Sequence, residues 1–149
     1  NSASGTYGFF KEHTLKNGDY KDQVKEQPGS ASVVQGITED RFGIGYSGIG
    51  YRTSGVKPLD LAPKSGAAPV VGTYANCLDG TYPLARYLNL YIGMDPSKPL
   101  DPLVREFVRF IFSKEGQEIV VKDGYFPLTA SMCAEELQRI GIDLKLSEK

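Results

Sequence analysis

The sequence predicts a mixed fold of helices and strands, and three observations predict it. Ser4, Ser32 and the pair Asp101-Pro102 each stand where a helix begins, a small polar cap followed by helix-forming residues. The segment Leu84–Ile92 alternates, with Leu88, Leu90 and Ile92 on one side and Tyr87, Asn89 and Tyr91 on the other. Phe42-Gly43-Ile44-Gly45-Tyr46 alternates large apolar residues with glycine, which suits a strand closely approached by another backbone.

The elements follow in order. Ser4 caps a helix over residues 5–14, and Asn17-Gly18-Asp19 forms a turn. Pro28-Gly29-Ser30-Ala31-Ser32 leads into a second helix, where Ser32 and Gln35 have capping-box spacing. The strand at 42–46 comes next. Ser47 to Lys64 is an extended connection with a short strand near Val56–Leu61, and residues 65–69 form a loop. After the strand at 84–92, Asp101 and Pro102 open a helix. Its residues Val104, Phe107, Val108 and Ile111 have buried spacing, while Arg105, Glu106 and Arg109 face water. A shorter helix stops at Lys122-Asp123, with Gly124 suited to the left-handed cap. Thr129 starts a last helix with Cys133, Leu137 and Ile140 as its buried stripe, and the tail Leu144–Lys149 frays.

Composition bounds the function. A chain of 149 residues makes one compact domain or pieces of two smaller ones. Seventeen basic and 18 acidic residues leave a net charge of −1 with no basic block, which argues against nucleic acid and anionic membranes as partners. No stretch reaches the ~20 apolar residues of a membrane span. The chain opens at Asn1 without a start methionine and no secretion signal is visible, so it reads as a processed or trimmed product. Cys77 and Cys133 have no metal-ligand spacing, and either a disulfide or two small core residues fits them.

Among candidate sites, Asn1-Ser2-Ala3-Ser4-Gly5-Thr6 stands out as a small, hydroxyl-rich loop opening a helix. Free backbone N–H groups, the positive end of the helix dipole and side-chain hydroxyls converge there, which suits a tetrahedral oxyanion. Ser4, Gly5 and Thr6 are the candidate ligands, although a serine at this position often only caps its own helix. Gly29–Ser32 offers the same logic, but there the capping box already accounts for Ser32. Arg86, beside Tyr82-Pro83-Leu84, suits a carbonyl or carboxylate partner more readily than an anion.

Covalent catalysis finds little support. The single histidine, His13, lies about 13 Å along the helix from Ser4, too far to act as its base. Gly45-Tyr46-Ser47-Gly48-Ile49 has Ile where a nucleophile elbow needs glycine. No phosphate-loop Gly-Lys-Ser/Thr run and no zinc ligand set is present. Asp40, Asp79 and Asp123 read as turn formers, and Tyr46, Tyr51, Tyr82, Tyr87 and Tyr91 as half-buried core with a wet hydroxyl.

Five segments together carry a resemblance. They are Ser4-Gly5-Thr6 with Phe9-Phe10, residues 28–36 from Pro28 to Gly36, residues 42–51 from Phe42 to Tyr51, Leu78-Asp79-Gly80-Thr81-Tyr82-Pro83-Leu84-Ala85-Arg86, and Gly124-Tyr125-Phe126-Pro127-Leu128. In this order they resemble the phosphate-binding component of bacterial phosphate ABC transporters, the PstS type. The resemblance implies an α/β, type II periplasmic binding protein-like fold, present in part as the C-terminal half of a two-lobed protein. Residues 1–82 would belong to the lobe carrying the phosphate loop. Residues 83–149 would supply the crossing strand and the C-terminal helices of the other lobe.

The implied function is non-enzymatic periplasmic capture of inorganic phosphate for a membrane permease, with Ser4, Gly5 and Thr6 as phosphate ligands and no cofactor or metal. The family's arginine, four residues before the serine, would fall at position zero. Its remaining hydroxyl ligands and its aspartate lie further upstream. The resemblance therefore implies an N-terminal half as partner, and lobes lacking sheet neighbours would invite strand exchange with a second copy. The alternatives are a phosphate-ester hydrolase using Ser4 or Thr6 as nucleophile, and an adhesion or signalling protein reusing the fold.

Overall fold

The computed structural model describes residues 2–95 and 97–142. Over these residues the chain forms α1 (Gly5–Leu15), α2 (Ser30–Glu39), a 3-10 turn (Ile49–Tyr51), α3 (Tyr74–Leu78), α4 (Pro102–Ile111), α5 (Lys114–Lys122) and α6 (Ala130–Arg139). Two compact units divide it, Asn1–Arg86 and Tyr87–Lys149. The expected tail at 144–149 lies outside the described residues.

The helices arise where their caps predict them. Asp101 Oδ1 accepts from Leu103 N at 2.9 Å and Val104 N at 3.2 Å, and Pro102 occupies the first turn, where its missing N–H costs nothing. Thr129 Oγ1 accepts from Met132 N at 3.3 Å, and Gly124 takes the left-handed φ of 83° just past α5. The start of α2 differs. Gly29 is its cap and makes no side-chain bond, and Ser30 and Ala31 are already helical. Ser32 therefore sits inside the first turn and cannot cap. Gln35 instead donates from Nε2 to Glu39 Oε1 one turn on, at 2.5 Å. The expected capping box is absent because the cap falls three residues earlier, at Gly29 rather than Ser32. The short helix α3, capped by Thr73, was not signalled by any apolar period.

The expected strands do not form. Among the described residues the only ladder contact is the antiparallel bridge between Leu61 and Val70, whose backbones exchange bonds of 3.0 and 2.9 Å. A strand needs a neighbour for its N–H and C=O groups, and alternation supplies none. Segment 84–92 has no ladder partner, and both sides of its alternation are exposed, Leu88 and Tyr91 alike. At 42–46, Phe42 and Ile44 are exposed, but the glycine reading has a counterpart. A Cβ on Gly45 would lie 3.2 Å from Val33 and Ile37, so this segment approaches the apolar side of α2 closely.

The first unit is held by aromatic rings more than by aliphatic burial. Phe10 stacks on Tyr46 with centroids 3.9 Å apart, and Tyr20 contacts Tyr7 at 4.8 Å. The Tyr20 hydroxyl donates to the Tyr7 carbonyl at 3.2 Å and lies 2.9 Å from the Tyr46 hydroxyl. Burial, and then the bond to Tyr20, push the Tyr46 phenol well above its ordinary pKa. These contacts fix α1 against residues 20 and 46 and so set the direction in which its N-terminus points.

The second unit has an aliphatic core of Val108, Leu137 and Ile142, against which Ile92, Leu100, Val104, Phe112 and Ile140 pack. Phe107, expected on the buried side, turns out exposed, so the buried side of α4 is narrower than its spacing suggests. Arg105 and Arg109, expected to face water, each have a buried Nε without a partner, while Arg109 Nη1 holds Glu106 at 3.0 Å. Gly116 lets α5 meet the end of α4. A Cβ there would clash with the Phe110 and Ile111 carbonyl oxygens. Gln117 ties the corner, donating to the Ile111 carbonyl at 2.9 Å and accepting from Leu128 N at 2.8 Å. Cys77 and Cys133 are each free thiols, and burial pushes each thiol pKa upward.

Candidate anion-binding site

The start of α1 brings Ser4, Gly5 and Thr6 together in one turn. Ser4 is extended, with φ −85° and ψ 132°, and its Oγ accepts from Thr6 N at 3.2 Å. The first intrahelical bond runs from Gly8 N to the Ser4 carbonyl at 3.2 Å, so the Gly5 and Tyr7 amides precede the ladder. The Ser4 hydroxyl accepts one bond as a cap and keeps its own proton to donate. Ser4 and Thr6 are half-buried and Gly5 is exposed. No acidic residue stands in the first turn of α1, so the positive end of the dipole has no carboxylate beside it.

Arg86 comes to lie beside the start of α1. Its guanidinium carbon lies 5.1 Å from the Phe9 ring centroid, and its Nη2 and Nη1 stand 3.5 and 3.8 Å from where a Gly5 Cβ would be. Phe9, one turn beyond Gly5, is the residue that could have signalled this stacking. His13 stays at the other end of α1, stacked on Phe9 at 4.0 Å and bonded to its carbonyl at 3.0 Å. Among the described residues no group of three or more His, Cys, Asp or Glu could hold a metal, and no helix is long and apolar enough to cross a membrane.

Free amides and hydroxyls at a helix start, with an arginine beside them, are groups able to donate to an anion. Residues 1–115 match the family model described as a PBP superfamily domain, and the chain belongs to that superfamily. More particularly, it is 53% identical over 142 residues to the phosphate-binding protein PstS of Pseudomonas aeruginosa, covering 95% of this chain and 44% of that protein. It is 32% identical to protein SphX of Synechococcus elongatus, over 91% of this chain and 40% of the relative. It is also 32% identical to phosphate-binding protein PstS 2 of Streptococcus pneumoniae, over 83% and 42%. The chain thus spans less than half the length of these relatives.

Proposed function

We propose that this chain is part of a periplasmic solute-binding protein that captures inorganic phosphate for uptake by an ABC transporter, and that it supplies one wall of the binding cleft. The observation that carries this reading is the extent of the likeness to phosphate-binding proteins together with the Ser4-Gly5-Thr6 turn at the start of α1. The Ser4 and Thr6 hydroxyls and the amides of the first turn donate to the phosphate oxygens. Fixed donors of this kind select an oxyanion in a protein whose net charge of −1 gives no attractive field.

In this reading residues 1–82 belong to the lobe bearing the phosphate loop. Residues 83–149 supply the crossing strand and C-terminal helices of a type II binding-protein fold, in which 42–46 and 84–92 gain their ladder neighbours. An N-terminal half completes the site, and a membrane permease receives the anion. A second copy takes the place of the N-terminal half when that half is missing. Two of the relatives are phosphate-binding proteins by name, and in the hydrolase alternative His13, stacked on Phe9 and bonded to its carbonyl, does not serve Ser4 or Thr6 as a base.

The test is a calorimetric titration with phosphate of the longest natural polypeptide containing this chain, with Ser4→Ala/Thr6→Ala beside it. Loss of two donors to a charged group should weaken binding by about 100-fold or more, while stability in the absence of phosphate falls only by the roughly 1 kcal/mol that the lost Ser4 cap costs. Equal affinity in the double variant removes Ser4 and Thr6 from the site.

A further inference from the structure

We infer that Arg86 is an additional anion-binding residue of this site, its guanidinium donating directly to the anion held at the start of α1. The inference rests on the phosphate reading above, which supplies the ligand, and adds to it a residue that the loop motif does not contain.

Three observations carry it. The guanidinium of the exposed Arg86 lies over the Phe9 ring, its carbon 5.1 Å from the centroid, on a helix that also carries the binding turn. Its two terminal nitrogens face Gly5, at 3.5 and 3.8 Å from the position a Cβ would occupy, and glycine leaves that space open. Arg86 makes no ion pair among the described residues, although five other basic side chains do.

Two sources of positive potential therefore meet at one turn, the amides of α1 and a guanidinium, and no carboxylate of the first turn offsets them. A fixed planar fork of this kind matches two oxygens of a tetrahedral anion. Stacking on Phe9 orders the side chain beforehand, which lowers the entropy lost on binding.

A guanidinium only donates, so it cannot tell a protonated oxyanion from a fully ionised one. Arg86 should raise affinity for phosphate and sulfate alike and leave the discrimination between them to other groups.

The experiment compares Arg86→Gln and Arg86→Lys with the unaltered protein and with Ser4→Ala/Thr6→Ala, all in the longest natural polypeptide containing this chain. Phosphate affinity, sulfate competition and the slope of affinity against salt are measured for each. Arg86→Gln should weaken phosphate about 10- to 100-fold, weaken sulfate by the same factor, and flatten the salt dependence. Arg86→Lys keeps the charge without the flat fork and should fall between. A role confined to packing on Phe9 would lower the melting temperature without phosphate and leave the salt slope unmoved, which overturns the inference. So does affinity within about twofold of the unaltered protein in Arg86→Gln and Arg86→Lys while the double variant fails to bind. Unaltered binding in the double variant, or no phosphate binding by the unaltered protein, instead overturns the reading of the site on which the inference stands.

Discussion

Lys11 and Asp19 show how a single exposed pair can hold one end of the site-bearing helix. Lys11 Nζ donates to Asp19 Oδ1 at 2.9 Å, joining the last turns of α1 to the chain beyond its left-handed exit at Lys16 and Asn17. The bond holds the Asp19 carboxyl below its ordinary range and the Lys11 ammonium above its own. A depressed carboxylate contributes stability that is present above its unfolded value near 3.8 and lost as pH falls through the lower folded one. For the raised ammonium the contribution is complete below 10.5 and lost as pH rises through the higher folded value. The pair is therefore intact across neutral pH. We expect an NMR titration to find Asp19 ionising at lower pH than in Lys11→Met. Identical midpoints would show that the pair does not persist in solution.

At the scale of elements, caps and close approaches do different work. Asp101→Ala removes the acceptor for two N–H groups of α4 and should cost about 1 kcal/mol in urea unfolding. Gly116→Ala forces a Cβ onto the Phe110 and Ile111 carbonyls, which are backbone and cannot swing aside. Its cost should be about 1–3 kcal/mol, the range of overpacking, despite alanine's better helix propensity. A neutral Gly116→Ala would mean that α4 and α5 separate readily. The same distinction explains what was legible locally. The caps at Ser4, Asp101 and Thr129 act within three residues, so the chain announces them. Gly116 and Gln117 owe their roles to residues brought close by the turn between α4 and α5.

At the scale of the whole molecule, the balance between buried and exposed apolar surface is unusual. Among the described residues Val34, Val108, Cys133, Leu137 and Ile142 are the buried hydrophobics, while Phe42, Ile44, Leu88, Tyr91 and Leu103 lie open. Apolar surface of that extent normally meets another surface. The phosphate-binding reading assigns it to an N-terminal half, and in that half's absence to a second copy. We expect sedimentation of this chain alone to show association that grows with concentration and weakens in Leu88→Lys/Tyr91→Lys. A monomer at all concentrations would remove the second copy from the reading.

The sequence by itself determined the starts of α1, α4 and α6, the left-handed stop at Gly124, the buried stripe led by Cys133 and Leu137, and the hydroxyl-bearing turn Ser4-Gly5-Thr6. All of these depend on interactions within a few residues, which propensity and spacing record directly. Tertiary structure decided whether alternating segments became strands, where α2 began, which side of α4 was buried, and where Arg86 came to rest. Those outcomes depend on partners distant in the chain. A ladder needs a second backbone, and the Arg86 guanidinium reaches Gly5 and Phe9 only because the fold closes the 76 residues of chain that lie between Phe9 and Arg86.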